Sequence, residues 1–73
     1  MTYFWDFYGP NARGIAEHFA RHLGDFMARY QLTAFTAGAE ALAPNHWAAW
    51  CKSDDLAVQD AVKKALRPQR QES

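Results

Sequence analysis

The sequence Tyr3-Phe4-Trp5-Asp6-Phe7-Tyr8 decides the fold of this chain, because it concentrates five of the eleven Phe, Trp and Tyr residues in six positions. Aromatic side chains favour β-strands, where they fit a pleated, half-buried surface. Successive side chains of a strand point to opposite faces, so one face carries Tyr3, Trp5 and Phe7 and the other carries Phe4, Asp6 and Tyr8. A strand that is aromatic on both faces needs cover on both. We expect the chain's own helices to cover one face and a second copy of the protein to cover the other.

The length of the chain, 73 residues, is near the lower limit for a domain with a self-sufficient core. We predict a single domain at residues 1–68 and a disordered C-terminal tail at residues 69–73. Cys51 is the only cysteine, which excludes an intrachain disulfide and fits a reducing compartment. There is no signal-peptide pattern at the N-terminus, and no stretch approaches the ~20 apolar residues that span a bilayer. The sequence therefore predicts a soluble, cytoplasmic protein without a membrane partner.

The formal net charge is zero, which argues against a dedicated nucleic-acid binder, because such binding rests largely on neutralising phosphates. The charge is unevenly distributed, since residues 63–73 carry four basic side chains and one acidic side chain. Cations at the C-terminal end of a helix complement its dipole, and we favour this interpretation over a tail that touches phosphate or RNA. We therefore expect no nucleic-acid partner.

Hydrophobic periodicity divides the chain into five elements in the order β-α-β-β-α. Helix one is indicated by apolar residues at spacings of three and four, with Asn11 as a plausible N-cap. Strand two is rich in small residues, and continuation of helix one through it is the main alternative. The Pro44-Asn45 turn predicts an antiparallel hairpin of strands two and three. The predicted bounds are Thr2–Tyr8 for strand one, Ala12–Tyr30 for helix one, Thr33–Glu40 for strand two and His46–Lys52 for strand three. Helix two is predicted to open at Ser53-Asp54-Asp55 and to end at Pro68.

This order of elements predicts an α+β fold with two layers. A right-handed β-α-β crossover and the hairpin that follows it can belong to one sheet when strand three inserts between strands one and two. The result is a three-stranded sheet of order 1-3-2, a split β-α-β, with both helices on one face. That plan is ferredoxin-like without its last strand. Strand one then forms an edge of the sheet, because we expect no further strand after Pro68.

The sheet face without helices is the predicted interface. If Tyr3, Trp5 and Phe7 meet the helices, Phe4 and Tyr8 face outward around Asp6, together with one of the two tryptophans of strand three. Exposed apolar patches of this kind usually mark an interaction surface. We expect a homodimer formed by edge pairing of strand one or by packing of sheet faces, the alternative being a monomer whose tail or loop 41–45 covers the patch. The candidate ligand or interface residues are Phe4, Asp6, Tyr8, Trp47 and Trp50.

Three smaller patterns carry possible chemistry. His18 and His22 have the i,i+4 spacing that can present two imidazoles to one metal ion, with Asp25, Cys51 or His46 as a third ligand; surface histidines are the simpler interpretation. Arg13, at the start of helix one, is a candidate anion contact, although the turn before it matches no phosphate-binding motif. Cys51 and His46 point to opposite faces of a regular strand, so we favour a buried, inert cysteine over a nucleophile–base pair.

The acidic residue of the aromatic strand allows two further interpretations. A buried Asp6 would need a partner, and could serve as a general acid or recognise a cationic ligand held over aromatic rings. We favour an edge charge that opposes aggregation. The predicted function is a small non-enzymatic binding module, without a cofactor, that self-associates through its aromatic N-terminal strand. The alternatives are a small-ligand binder or minor enzyme with an aromatic pocket at Asp6, and a metal-binding protein that uses His18 and His22.

Overall fold

The computed structural model describes residues 1–73 and confirms the α+β class, with two helices and a four-stranded antiparallel sheet. A short π-helical segment, Val62–Leu66, continues the second helix. Neither helix is both long and apolar enough to cross a membrane. The elements are β1 (Thr2–Tyr8), α1 (Ala12–Arg29), β2 (Thr36–Ala43), β3 (His46–Lys52), α2 (Leu56–Ala61) and β4 (Arg70–Glu72).

The strand order is β2-β3-β1-β4, so β3 lies between β1 and β2 as the split β-α-β predicts. The prediction of only three strands is wrong, because residues expected in a frayed tail form β4. This strand pairs antiparallel with Thr2, Tyr3 and Phe4 of β1. The backbone N–H of Gln69 extends the pairing by donating to the carbonyl of Phe4 at 2.9 Å. Consequently β1 is a central strand rather than an edge, and the ferredoxin-like plan is complete.

The hairpin of β2 and β3 forms as predicted, but β2 begins three residues later than expected and runs to Ala43. Pro44 and Asn45 make a two-residue connection, and Asn45 takes a positive φ of 62°, which asparagine tolerates well. A bulge at Leu42 interrupts the register between Ala41 and Ala43. Small residues specify strand register poorly, which explains why the bounds of β2 were misplaced.

One face of the sheet packs against both helices and holds the core. Tyr3 and Trp5 of β1 lie there as expected, and Phe7 packs against them from the edge of the core. Helix α1 lies over β2 and β3, and its side chain Phe19 contacts the Trp5 ring with centroids 4.9 Å apart. The buried core cluster consists of Tyr3, Trp5, Leu23, Met27, Ala49, Cys51, Val58 and Val62.

Helix α2 begins at a true side-chain cap. The carboxylate of Asp55 accepts from the backbone N–H groups of Ala57 and Val58, at 2.8 and 3.2 Å. At the other end the π-helical segment widens the helix, and the carbonyl of Leu66 accepts a 2.8 Å hydrogen bond from Nε1 of Trp5. This bond fixes the end of the helix to the middle of β1, and Arg67 then turns the chain toward β4 with a φ of 47°.

Candidate functional site

The sheet face without helices, called the open face below, carries an ion-paired cluster at its centre. Asp6 of β1 lies between His46 of β3 and Arg70 of β4. Nε and Nη2 of Arg70 each donate to one carboxylate oxygen of Asp6, both at 2.8 Å. Nε2 of His46 lies 3.0 Å from the Asp6 oxygen that Nη2 contacts. The side chain of Asp6 is only 8% exposed, so its charge is neutralised by protein partners instead of water.

The electrostatics of the cluster keep Asp6 ionised. The hydrogen bonds from Arg70 lower the pKa of the Asp6 carboxyl to about 2, with a smaller contribution from His46, and these effects outweigh the opposing effect of burial. The same hydrogen bonds raise the pKa of Arg70. A carboxylate with so low a pKa holds no proton to donate near neutral pH, and its oxygens already have partners. Asp6 is therefore neither a general acid nor the unpartnered edge charge that the sequence suggests.

Aromatic rings pack around the ion pair on the open face. The Arg70 guanidinium lies 4.4 Å from the centroid of the Phe4 ring, and Trp50 is the direct cross-strand neighbour of Phe4. Phe4 is consequently 8% exposed, although it faces away from the helices. The Tyr8 ring stacks on His46 with centroids 4.3 Å apart, and Tyr8 is 71% exposed. Tyr8 is thus the most exposed aromatic ring of the open face.

The two tryptophans of β3 lie on opposite faces. Trp50 is on the open face, and its indole covers Gly38 of β2 so closely that an added Cβ would be 2.9 Å from Cζ2. Trp47 is on the helix face, where Arg13 lies 5.5 Å from its ring centroid. The candidate set from the sequence is therefore divided: Phe4, Asp6, Tyr8 and Trp50 come together, whereas Trp47 does not join them.

Arg13, the candidate anion contact, lies at the exposed start of α1. Its Nε is 3.5 Å from a carboxylate oxygen of Glu17, one helical turn later. Asn11 occupies the N-cap position, but its side chain makes no capping hydrogen bond. The geometry therefore gives Arg13 an acidic neighbour and an aromatic neighbour, and neither favours an anion.

His18 and His22 lie side by side on α1, with ring centroids 4.3 Å apart in an edge-on arrangement. They line a shallow depression of about 270 Å³ together with Ile15 and Phe19. None of the proposed third ligands converges on them, because no group of three His, Cys, Asp or Glu side chains is close enough to hold a metal ion. Asp6 is not among the residues that line this depression.

Cys51 is fully buried on the helix face of β3, and burial raises the pKa of its thiol to about 11. His46 is on the open face, hydrogen-bonded to Asp6. The two side chains therefore form no nucleophile–base pair, and the thiol remains protonated at neutral pH. The opposite orientation follows from their separation of five residues along a regular strand.

Sequence reasoning missed two residues of the cluster, Arg70 and Gln69. The side-chain oxygen of Gln69 accepts from the backbone N–H of Asp6 at 2.8 Å, so both residues fasten the C-terminal segment to β1. The available signal was Asp6 itself, since an acidic residue within an aromatic strand requires a charged partner when it is buried. The sequence contains eight Lys and Arg residues, and nothing in their spacing singles out Arg70.

The fold and the cluster define a small α+β domain of ferredoxin-like topology whose open face is crossed by an ion pair among aromatic rings. Comparison of the chain with protein-family models, curated proteins and solved structures finds no match.

Proposed function

We propose that this protein is a small non-enzymatic interaction module that forms a homodimer through its open face. The observation that carries the proposal is the exposure of Tyr8, which is 71% accessible on a sheet face that no helix covers. The partly exposed ring of Trp50 lies on the same face. Amphipathic aromatic rings of this kind are enriched in protein interfaces, where they bury large areas at little entropic cost.

The mode of self-association follows from the position of β1. Strand β4 occupies its edge from Thr2 to Phe4, and the side chain of Gln69 takes the next free N–H, that of Asp6. Edge pairing of β1 between copies would require the displacement of β4. Packing of one open face against another leaves every strand in place, and we therefore choose face packing.

Charge complementarity favours a second copy as the occupant. A two-fold axis that runs parallel to the strands, between β1 and β3, sets β1 of one copy against β3 of the other and β2 against β4. In the strand register Glu40 lies at the level of Asp6, which is also where the Arg70 guanidinium binds. Glu40 therefore faces the partner's Arg70. Lys52 and Glu72 share the level of Thr2, so Lys52 of one copy lies diagonally across the axis from Glu72 of the other, one strand spacing from directly opposite.

The same axis also sets aromatic rings of one copy against rings of the other. Trp50 faces the partner's Phe4, because these residues are direct neighbours in the register, and Tyr8 faces the partner's His46 for the same reason. In the open face β1, β2 and β3 have seven or eight residues and β4 has three, so the face measures roughly 19 by 23 Å at its widest at ordinary strand spacings. Two such faces bury on the order of 1,000 Å², the lower end of the range for specific interfaces. A reversible dimer is therefore expected.

Light scattering on matched variants tests the proposal. We expect the wild type to have the mass of a dimer at tens of micromolar, and Tyr8→Lys to have the mass of a folded monomer. Tyr30→Lys is the control, because Tyr30 is also an exposed tyrosine, 58% accessible, but lies at the end of α1. This variant should remain a dimer. Circular dichroism should give the same spectrum for all three proteins.

A charge exchange tests the axis itself. Lys52→Glu should weaken the dimer by setting two acidic groups against each other, and the double variant Lys52→Glu with Glu72→Lys should restore it. A wild-type monomer would contradict the proposed function, and Tyr8 and Trp50 would then become candidates for contact with another protein or a small molecule. A dimer whose stability is unchanged by the charge exchange would contradict the proposed axis but not the dimer itself.

As part of the proposal we assign the protein to the cytoplasm, where a lone thiol such as Cys51 stays reduced.

A further inference from the structure

We propose that His18 and His22, on the exposed surface of α1, form a binding site for one late first-row divalent cation, such as Cu²⁺ or Zn²⁺. The site lies on α1, on the opposite side of the sheet from the open face. It is therefore independent of the proposed dimer and would hold one ion in each chain.

The geometry of the pair suits chelation. Residues four apart on a helix project from the same side one turn apart, and the two imidazole rings already have centroids 4.3 Å apart at an interplanar angle of 60°. Histidine nitrogens bind Zn²⁺ at ~2.0–2.1 Å, so neighbouring imidazoles on successive turns can share one ion. Among the three histidines only His46 is bonded to another side chain, which leaves the nitrogens of His18 and His22 available as ligands.

The surroundings of the pair supply the second observation. Both rings line the same surface depression, and its other walls are the side chains of Ile15 and Phe19. These apolar walls offer the ring nitrogens no hydrogen-bond partner that would compete with an ion. The depression has a volume of about 270 Å³, which leaves room for several water ligands on the ion.

The ligand set decides which ions fit. Two neutral imidazoles and water favour Cu²⁺, Ni²⁺ and Zn²⁺, and the stability order of divalent ions places Cu²⁺ first. Mg²⁺ and Ca²⁺ prefer oxygen ligands and should not bind. Because the chain offers no third protein ligand at this site, the remaining positions stay open to water, as in metal sites that exchange their outer ligands.

The experiment is a titration of the folded protein with CuCl₂ and with ZnCl₂, followed by calorimetry and, for Cu²⁺, by electron paramagnetic resonance. We expect one ion per chain, a copper spectrum with two equatorial nitrogens and no response to MgCl₂. His18→Ala and His22→Ala should each weaken binding at least tenfold. Both residues are exposed, so both variants should keep the wild-type circular dichroism spectrum.

A spacing control separates chelation from mere histidine content. The double variant His18→Ala with Arg21→His keeps two histidines on α1, but places them next to each other, where they point about 100° apart. It should bind no better than His18→Ala alone. Equal binding by the wild type and this variant would overturn the proposal. So would a stoichiometry other than one ion per chain, or a rise in molecular mass on adding metal, which would indicate a site completed by another chain.

Discussion

The guanidinium of Arg70 holds the carboxylate of Asp6 through two parallel hydrogen bonds of 2.8 Å, and in doing so joins the last strand of the sheet to the first. Bidentate arginine–carboxylate pairs combine charge with a fixed geometry. Here the pair also shields Phe4, because the guanidinium lies over its ring. A single side chain thus neutralises a buried charge and covers an aromatic ring.

The first prediction concerns acid stability. The folded pKa of Asp6 is about 2, below the ordinary value of 3.8. A group with a lowered folded pKa contributes stability above its unfolded pKa, and this contribution is lost as the pH falls through the folded value. We expect wild type to lose about 2 kcal/mol of unfolding free energy from this group between pH 5 and pH 2.

Urea unfolding of wild type, Asp6→Asn and Asp54→Asn at pH 5 and pH 2 measures this effect. Asp6→Asn should be less stable than wild type at pH 5, and its unfolding free energy should fall less than that of wild type between pH 5 and pH 2. Asp54→Asn is the matched control, because its side chain is 98% exposed. An equal acid sensitivity in all three proteins would contradict the assignment of the low pKa to Asp6.

The second prediction ranks substitutions of Arg70. Arg70→Ala leaves a buried carboxylate without its main partner and uncovers Phe4, so we expect a loss of roughly 2–4 kcal/mol in unfolding free energy. Arg70→Lys keeps the charge without the planar fork and should lose roughly half as much. Lys63→Ala, on the exposed side of the helix end, should change stability by less than ~0.5 kcal/mol. An Arg70→Lys variant as stable as wild type would show that the bidentate geometry is unimportant.

The third prediction compares two glycines. A Cβ on Gly38 would be 2.9 Å from the Trp50 ring, so Gly38→Ala should displace the indole and destabilise the fold by roughly 1–3 kcal/mol. Gly24 lies within α1 with open space around it, so Gly24→Ala should stabilise the protein by roughly 0.5–1 kcal/mol. Thermal unfolding gives both values, and tryptophan emission should shift in the Gly38 variant only. A neutral Gly38→Ala would mean that the indole moves aside freely.

The fourth prediction concerns the buried hydroxyl of Tyr3, which has no hydrogen-bond partner in the structure. A buried polar group without a partner is costly, and its removal with retention of the ring should be neutral or favourable. We expect Tyr3→Phe to raise the unfolding free energy by up to about 2 kcal/mol in urea titrations. A loss of more than ~1 kcal/mol would instead indicate that the hydroxyl is hydrogen-bonded in solution.

The sequence predicted the fold class, the bounds of β1 and β3 and the position of β3 between β1 and β2. These features depend on strong local signals: aromatic runs, a helical apolar period and a Pro-Asn turn. It failed at β4, because the residues Arg70, Gln71 and Glu72 are all polar and have no alternation that indicates a strand. Their strand is stabilised by tertiary contacts, namely pairing with β1 and the ion pair with Asp6.

The candidate site was predicted in part for the same reason. Alternation in β1 placed Phe4, Asp6 and Tyr8 on one face correctly. The burial of Phe4 could not be predicted, because its cover comes from Arg70, 66 positions later in the sequence, and from Trp50 across the sheet. Alternation alone also left open which tryptophan of β3 faces outward, since that depends on the register between strands.

The place of β1 in the sheet has a kinetic consequence. Its two neighbours, β3 and β4, come from the second half of the chain, so no hairpin joins β1 to its partners and each pairing must close a long loop. Folding rates fall as contacting residues become more distant in sequence. We expect refolding to be slow for a chain of this size. The most aromatic segment stays exposed until β3 and β4 pair with it, so the fraction of protein lost to aggregation during refolding should grow with protein concentration.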